Sequence, residues 1–297
     1  MLERGAAEDD AASLVELAVW QLEGVYVRRD LRRSRECFGR AAELGDASAE
    51  RIFISLLANG IGGDQNWISA TARLRAFAAG DDLARRQLSL LDAMALRNDG
   101  YPAQVPEPRP LSSRPNVSAI EGLLTGDECQ YLIDIAGPLL EPSVIVDPAS
   151  GQLRPHPVRT SEGAAFPLVS EDLVISALNR RVAAASNTDH GAGEPLQVLR
   201  YTPGQEYRPH LDALPVGDNQ RIVTVLLYLN DGYRGGETLF THTGLKFQGR
   251  RGDALLFRNA LPDGSPDPMS KHAGLPVVSG EKYLATRWIH ERPMLVG

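Results

Sequence analysis

A triplet in the second half of the chain, His210-Leu211-Asp212, has the residue types and the spacing of a metal site. Residues two apart in a β-strand point to the same face, so this imidazole and this carboxylate would lie side by side. A second histidine on a neighbouring strand would place two nitrogens and one carboxylate on one face of a ferrous ion. Such a set leaves three octahedral positions open for a chelating cosubstrate and oxygen.

His272 is the best candidate for that second histidine. It lies 60 positions after Asp212 (272 minus 212) and begins a predicted strand. Lys282 begins the next strand, which would run back beside the first after a Ser279-Gly280 turn. Its ammonium could bind the far carboxylate of a dicarboxylate whose other end chelates the metal. Only three of the 31 basic residues are lysines, so a lysine at this position is informative.

The remaining histidines are weaker candidates. His242, in the turn Thr241-His242-Thr243-Gly244, is the rival third ligand, but no basic residue follows it at the distance of a returning strand. His156, His190 and His290 are expected to be structural or solvent-facing. The sequence contains no Gly-x-Ser-x-Gly elbow, no paired-cysteine zinc spacing and no His-Glu-x-x-His.

Length and composition predict a globular protein of one large or two ordinary domains, since 43% of the 297 residues are hydrophobic. The net charge of -7, with both signs well mixed, indicates neither nucleic acid nor a membrane surface as a partner. The acidic start MLERGAAEDDAASL and the lack of a long apolar run favour a cytoplasmic protein. Cys37 and Cys129 are expected to be buried small hydrophobes.

Residues 11–98 read as helical, with Leu14, Leu17, Ala18 and Leu22 on one face. Residues 40–46 and 75–81 repeat a pattern 35 positions apart (75 minus 40), a period typical of helix pairs. Each ends in Gly-Asp, which is predicted to end one helix and cap the next. No strand precedes Gly60-Ile61-Gly62-Gly63, so this run is predicted to be a turn inside a repeat rather than a phosphate-binding loop.

Five prolines between positions 102 and 115 favour an extended connection. The predicted domains are therefore 1–100 (helical repeats), 101–116 (linker) and 117–297. The last domain is predicted to have helices at 120–140, opened by Thr125, and at 171–185. Alternating or β-branched runs predict short strands and a closed or sandwiched antiparallel β architecture; they lie at 196–201, 222–229, 237–240, 253–257, 274–278 and 282–289.

The run LEGVYVRRDLRRSRECFGRAAELGDASAE resembles the Sel1-like repeat family, a relative of the tetratricopeptide repeats, and residues 49–85 match more loosely. The resemblance implies antiparallel helix pairs. Such arrays usually need about three units or a packing partner. We therefore expect the two repeats to dock on the domain that follows.

Residues 117–291 resemble the iron(II)- and 2-oxoglutarate-dependent dioxygenases of the prolyl 4-hydroxylase branch. The matching runs are LQVLRYTPGQEYRPHLD, QRIVTVLLYLND, GGETLF, GRRGDALLF and KHAGLPVVSGEKYLATRWIHE. The resemblance implies a double-stranded β-helix (jelly-roll) core with flanking helices, so the whole chain is expected to be an α+β multidomain protein. It also implies that His210, Asp212 and His272 bind iron and that Lys282 binds the distal carboxylate of 2-oxoglutarate.

Further roles follow from the same resemblance. Tyr201, Tyr228 and Thr286 match positions that line the cosubstrate pocket, although each could equally be a strand residue that fills the barrel. The run VDPASGQLRPHPVRTSEG resembles a loop that helps to cover the peptide substrate. The residues expected on the substrate side are Arg159, from this loop, Arg221, which could equally be a strand-edge charge, and Trp288, which is expected to be a core residue first.

The resemblance thus implies an enzyme that uses Fe(II), 2-oxoglutarate, O2 and ascorbate to hydroxylate a C–H bond, with release of succinate and carbon dioxide. The expected substrate is a prolyl residue in a peptide or protein, which the helical repeats could dock. Two alternatives stay open. The protein could hydroxylate a free amino acid or small metabolite, or it could be a non-catalytic repeat adaptor with a vestigial barrel.

Overall fold

The computed structural model of the chain describes residues 2–146, 153–155, 158–167, 169–215 and 219–294. His156 and much of the predicted substrate-covering loop lie outside the described residues. The chain divides into two compact units. The first contains the N-terminal residues through Gln104 together with Phe166–Arg181, and the second contains Val105–Ala165 and Val182–Met294. Among the described residues, no helix has the length and apolar character needed to cross a bilayer.

The first unit is helical, as predicted for residues 11–98. An Asp or Asn precedes each helix from the second to the sixth, and its side chain accepts a hydrogen bond from a backbone N–H of the first turn. These caps satisfy donors that have no partner inside the helix. Asp46 and Asp81, the two predicted caps, are among them. The helices are α1 (Leu2–Ala7), α2 (Ala11–Glu23), α3 (Leu31–Glu43), α4 (Ala47–Asn59), α5 (Trp67–Phe77) and α6 (Asp82–Ala93).

Successive helices of the first unit pack on one another in chain order, as expected for helix pairs. The predicted apolar face of α2 is buried, and Cys37 of α3 lies in the same core cluster. Gly60 ends α4 in the left-handed conformation, with a φ of 69°, so the glycine-rich run is a turn between two helices, as predicted. The two Gly-Asp pairs differ, because Gly45, which follows the C-cap Leu44 of α3, has a φ of 91°, whereas Gly80 does not have a positive φ and lies three residues after the end of α5.

A later segment completes the first unit. Helix α8 (Leu173–Ser186) begins in it, and the fully buried Arg180 donates to the carbonyl oxygen of Ala58 (2.6 Å) and to Oδ1 of Asn59 (3.1 Å). Its guanidinium also lies 4.8 Å from the ring centroid of Trp67. Residues 166–181 therefore supply a packing partner for the repeats from within the same unit.

The second unit contains two main antiparallel sheets, an eight-stranded one in the order β1-β2-β13-β9-β16-β7-β6-β3 and a four-stranded one in the order β12-β11-β14-β8. Strands β10 and β15 form one ribbon, and β4 and β5 form another. This arrangement confirms the predicted jelly-roll class. The strands are β1 (Arg109–Ser113), β2 (Asn116–Ile120), β3 (Glu141–Pro142), β4 (Val144–Val146), β5 (Leu153–Pro155), β6 (Glu162–Phe166), β7 (Leu196–Tyr201), β8 (Tyr207–His210), β9 (Arg221–Tyr228), β10 (Arg234–Gly235), β11 (Thr238–Phe240), β12 (Lys246–Phe247), β13 (Ala254–Arg258), β14 (His272–Gly274), β15 (Val277–Ser279) and β16 (Lys282–His290).

Three element predictions differ from the structure in their extent. Strand β1 lies inside the stretch that the prolines predict to be a linker. The helix predicted at 120–140 is α7 (Gly126–Ala136), because the chain before it pairs as β2 and Thr125 forms a capping box with Glu128. The strand predicted at 274–278 is two strands, β14 and β15, which belong to different sheets.

The register of the large sheet aligns one row of inward side chains across β7, β16 and β9. Lys282 is the partner of Tyr201, Thr286 is the partner of Leu226, and Trp288 is the partner of Thr224. Because alternate residues of a strand share a face, these side chains lie on the same side of the sheet. All the residues of this row except Thr224 line one cavity.

Candidate active site

The structure brings the three predicted metal ligands together. His210 ends β8 and His272 begins β14, and the two are direct cross-strand partners whose ring centroids are 4.3 Å apart. Asp212 follows β8, with its Oδ1 3.4 Å from Nε2 of His210 and its Oδ2 3.7 Å from Nε2 of His272. One ligand atom from each of the three residues lies within 4.8 Å of the other two.

Both histidines present the same nitrogen to the carboxylate. Nδ1 of His210 lies 2.8 Å from the carbonyl oxygen of Arg208, and Nδ1 of His272 lies 3.0 Å from that of Ser270. A carbonyl oxygen only accepts, so each Nδ1 carries a proton and each neutral ring has its lone pair on Nε2. Two such nitrogens and a carboxylate oxygen are a donor set that fits non-haem Fe(II), and the carbonyls orient the rings as outer-shell partners of metal-bound histidines do.

Aromatic neighbours fix the two imidazoles. Tyr207 stacks on His210 with ring centroids 3.5 Å apart and an interplanar angle of 13°. Phe257 meets the ring of His272 edge-on at 4.7 Å, and Phe240 lies 5.8 Å from it. Neither ring can therefore turn without displacing a packed neighbour.

The ionisation states suit metal binding at neutral pH. Burial raises the pKa of Asp212, but the positive charges of His272 and His210 in their protonated forms and the hydroxyl of Thr224 outweigh it, so the pKa of this carboxyl is below its usual value. Burial lowers the pKa of His272 to about 4, and its imidazole is neutral at pH 7. Metals bind the deprotonated forms of both groups, so neither ligand has to lose a proton first.

Lys282 is a buried cation at the start of β16. Its Nζ donates to the carbonyl oxygen of Gly236 at 2.6 Å and lies 5.6 Å from the ring centroids of Tyr201 and Tyr228. Gly236 has a φ of 71°, and a Cβ there would come within 3.1 Å of the lysine Cδ, so glycine suits this close approach. Burial lowers the pKa of Lys282 to about 8. No carboxylate of the described residues forms an ion pair with it.

His210, Asp212 and His272, called the metal-binding group from here on because their ligand atoms could hold a metal ion, line one cavity between the two sheets together with Lys282. Leucines 199, 226 and 284 make an apolar part of its wall, and the polar and aromatic lining residues are Tyr201, Tyr207, His210, Asp212, Thr238, His272, Lys282, Thr286 and Trp288. Of the three residues expected around a cosubstrate, Tyr201 and Thr286 lie on this wall. Tyr228 is not a lining residue; it is fully buried, and its hydroxyl lies 3.0 Å from Oγ1 of Thr238, which does line the cavity.

The residues expected on the substrate side have different surroundings. Trp288 is on the cavity wall, but Arg221 forms a two-pronged ion pair with Glu194 and lies 4.6 Å from the ring centroid of Trp288. Its Nη1 is 3.5 Å from the backbone oxygen of Asp212. Arg159 lies 5.7 Å from the ring centroid of Tyr207, outside the cavity lining. Both arginines thus contact residues that hold or pack against the metal-binding group.

The other described histidines do not belong to the metal-binding group of His210, Asp212 and His272. His242 is exposed between β11 and β12. His290 is buried, with Nε2 2.8 Å from Glu194 Oε1 and Nδ1 2.9 Å from the carbonyl oxygen of Asn219, so its role is structural, as predicted. His190 is partly buried, and its carbonyl oxygen accepts a hydrogen bond from Arg287.

Sequence reasoning missed several side chains around the site. Thr224 donates to Asp212, Asn259 donates to Thr224, and Tyr207 stacks on His210. The sequence could have predicted Thr224 near the site, because it lies four positions before Tyr228 in β9 and their side chains share one face of the strand. Asn259 follows the end of β13 and has no spacing that marks it.

Comparisons with known proteins agree with this geometry. The sequence model of the 2OG-Fe(II) oxygenase superfamily matches residues 196–290. Probable prolyl 4-hydroxylase 4 of Arabidopsis thaliana is 35% identical over 206 residues, which cover 61% of this chain and 69% of that protein. The structure of the viral collagen prolyl hydroxylase from Paramecium Bursaria Chlorella virus-1, in its 2OG complex, is 31% identical, covers 59% of this chain and 95% of that chain, and has a TM-score of 0.47.

A Sel1 repeat protein from Oxalobacter formigenes is also similar, with 24% identity, coverage of 30% of this chain and 67% of that chain, and a TM-score of 0.28.

On the basis of the superfamily match and the plant relative, the chain belongs to the 2OG-Fe(II) oxygenase superfamily, in its prolyl 4-hydroxylase branch, and is a 2-oxoglutarate-dependent dioxygenase.

The choice of His272 over His242 can be tested by metal-induced stabilisation. A metal that binds only the folded protein raises the free energy of unfolding, by about 2.7 kcal/mol at one hundred times its dissociation constant. We predict that saturating Mn(II) raises the thermal unfolding midpoint of the wild-type protein and of His242→Ala, but not that of His272→Ala. An equal Mn(II) shift in His272→Ala would contradict this ligand assignment.

Proposed function

We propose that the protein hydroxylates prolyl residues in a peptide or protein, and that His210, Asp212 and His272 bind its iron. The supporting observation is the convergence of two Nε2 lone pairs and one carboxylate beside a cavity that also contains a buried lysine. When bound, Fe(II) supplies the chemistry by which O2 oxidatively decarboxylates 2-oxoglutarate to succinate and carbon dioxide and one oxygen atom enters a C–H bond.

The residues of the chain contribute binding and orientation. Lys282 would bind the distal carboxylate of 2-oxoglutarate, and its burial strengthens that ion pair because little water competes for the ammonium. Tyr201 and Thr286 offer hydroxyl groups on the same wall. Burial raises the pKa of Tyr201 to about 12, so its phenol keeps the proton that it can donate. The leucines between these groups exclude water from the cosubstrate.

Several features favour a prolyl substrate over the alternatives. The plant relative is a probable prolyl 4-hydroxylase, and the viral one is a collagen prolyl hydroxylase. The indole of Trp288 offers an apolar surface at the cavity wall against which a pyrrolidine ring could pack. A free amino acid could pack against the same wall, so an experiment must distinguish a free amino acid from a peptide as the substrate. A vestigial barrel is disfavoured because the metal-binding group and the buried lysine are all present.

Other parts of the proposal depend on the sequence alone. We propose that Arg159 and its loop lie on the peptide side of the cavity and that the helical repeats help to dock the substrate. Arg221 would act on the substrate side through Trp288, with which it packs. Use of ascorbate, a cytoplasmic location and the lack of nucleic-acid or membrane partners stay predictions.

The substrate class is tested by assay of the full chain with Fe(II), 2-oxoglutarate and ascorbate. We predict a mass gain of one oxygen atom at proline in a proline-rich peptide library, with one succinate formed for each hydroxylation. Free L-proline should have a kcat/KM at least about tenfold lower, because it lacks the flanking peptide contacts. The His210→Ala variant should form no product, whereas His242→Ala should keep the wild-type rate. A higher kcat/KM with free proline than with every peptide would favour the small-metabolite alternative.

The proposed role of Lys282 predicts an alkaline limb in the pH profile. The ammonium binds a carboxylate only while protonated, and its pKa in the free protein is about 8. We predict that kcat/KM for 2-oxoglutarate falls about tenfold per pH unit above that value. In Lys282→Arg the guanidinium stays protonated, so the limb should disappear even if the affinity is lower. Lys246→Arg, an exposed control, should keep the limb. Its persistence in Lys282→Arg would assign the titration to another group.

A further inference from the structure

Two buried polar side chains stand behind the carboxylate of Asp212. Oγ1 of Thr224 lies 2.7 Å from Oδ2 of Asp212, and Nδ2 of Asn259 lies 2.8 Å from Oγ1 of Thr224. Thr224 and Asn259 are both fully buried. Buried polar groups are costly unless they are hydrogen-bonded, so this row of three needs a reason beyond packing.

The direction of both hydrogen bonds is determined by chemistry. An ionised carboxylate only accepts, and a threonine hydroxyl has a single proton. Thr224 must therefore donate to Asp212 and must accept from its other neighbour. Only the amide Nδ2 of Asn259 can donate to it, which fixes the orientation of the asparagine side chain. Its Oδ1 has no hydrogen-bond partner among the described residues.

Asn259 also stands where the segments of two ligands meet. It follows β13, and its own N–H donates to the carbonyl oxygen of Ile222 at 2.9 Å. Its carbonyl oxygen accepts from the N–H of Asp267 at 2.8 Å, and the carbonyl oxygen of Asp267 accepts from the N–H of Ser270 at 3.0 Å. Ser270 in turn orients the ring of His272. The side chain of Asn259 is thus linked to Asp212 by hydrogen bonds through Thr224. Its backbone is linked to His272 by hydrogen bonds through Asp267 and Ser270.

We propose that Thr224 and Asn259 are positioning residues that hold Asp212 ready to bind the metal. This inference rests on the proposed role of Asp212 as an iron ligand. Asn259 keeps the hydroxyl proton of Thr224 directed at Oδ2 of Asp212, and Thr224 holds the carboxylate in one rotamer. Oδ1, which lies beside Nε2 of His210, is then the carboxylate oxygen available to the metal.

The test measures metal affinity rather than turnover. Co(II) is titrated calorimetrically into the full-length protein and its Thr224→Val, Thr224→Ser and Asn259→Ala variants, with the unfolding midpoint of each metal-free variant measured in parallel. Loss of an outer-shell partner typically weakens metal binding about 10- to 100-fold. We predict a loss of this size in Thr224→Val, whose shape is conserved, and near wild-type affinity in Thr224→Ser, which keeps the hydroxyl.

Asn259 should act only through Thr224. Asn259→Ala should weaken Co(II) binding about tenfold in the wild-type background. It should cause no further loss in the Thr224→Val background, because the hydroxyl that it directs is already absent. Equal additional losses in both backgrounds would mean that Asn259 affects the site by a different route. If Thr224→Val does not fold, the comparison of Asn259→Ala with Thr224→Ser still tests the proposal.

The outcomes separate this inference from the proposed function. His210→Ala removes a ligand and should abolish the Co(II) heat. If it does so while folded Thr224→Val and Asn259→Ala bind as tightly as the wild-type protein, the positioning role is wrong and the metal site stands. If His210→Ala binds Co(II) unchanged, the ligand assignment itself is wrong.

Discussion

The buried charge of Asp212 is the constraint on which the rest of the site depends. Transfer of a carboxylate out of water costs several kcal/mol unless partners compensate it. Thr224 supplies one hydrogen bond, but the two imidazoles face the carboxylate with lone pairs because their N–H groups are bonded to backbone carbonyls. Three electron pairs that converge on one point repel each other until a cation lies between them. The three donor groups by themselves therefore favour a metal ion at this point.

Lys282 places the opposite charge on the same cavity wall. The register of β16 with β7 pairs Lys282 with Tyr201, and its ammonium also lies near the ring of Tyr228. Because Gly236 approaches closely, its carbonyl oxygen accepts a hydrogen bond from this ammonium. A metal site and a buried ammonium on one wall are complementary to a dicarboxylate that chelates at one end. Leucine side chains between them supply the low dielectric that makes both interactions strong.

Strand parity and the scarcity of lysine were enough to predict that His210, Asp212, His272 and Lys282 lie together, because their positions depend on local spacing and on which strands neighbour each other. Short alternating and β-branched runs predicted a closed or sandwiched antiparallel β architecture, and the jelly-roll class itself was implied by the family resemblance. The partners of Arg221 were not predictable, since Glu194 lies 27 positions before it in a loop without periodicity. Asn259 and the packing of residues 166–181 into the first unit likewise arise from tertiary contacts that no local pattern encodes.

An X-ray diffraction experiment at the iron absorption edge, on crystals grown anaerobically with Fe(II) and 2-oxoglutarate, tests the central claim most directly. The account predicts a single strong anomalous peak bounded by Nε2 of His210, Nε2 of His272 and a carboxylate oxygen of Asp212, with the distal carboxylate of 2-oxoglutarate at Nζ of Lys282. A peak that includes His242, or a 2-oxoglutarate molecule bound away from Lys282, would contradict it.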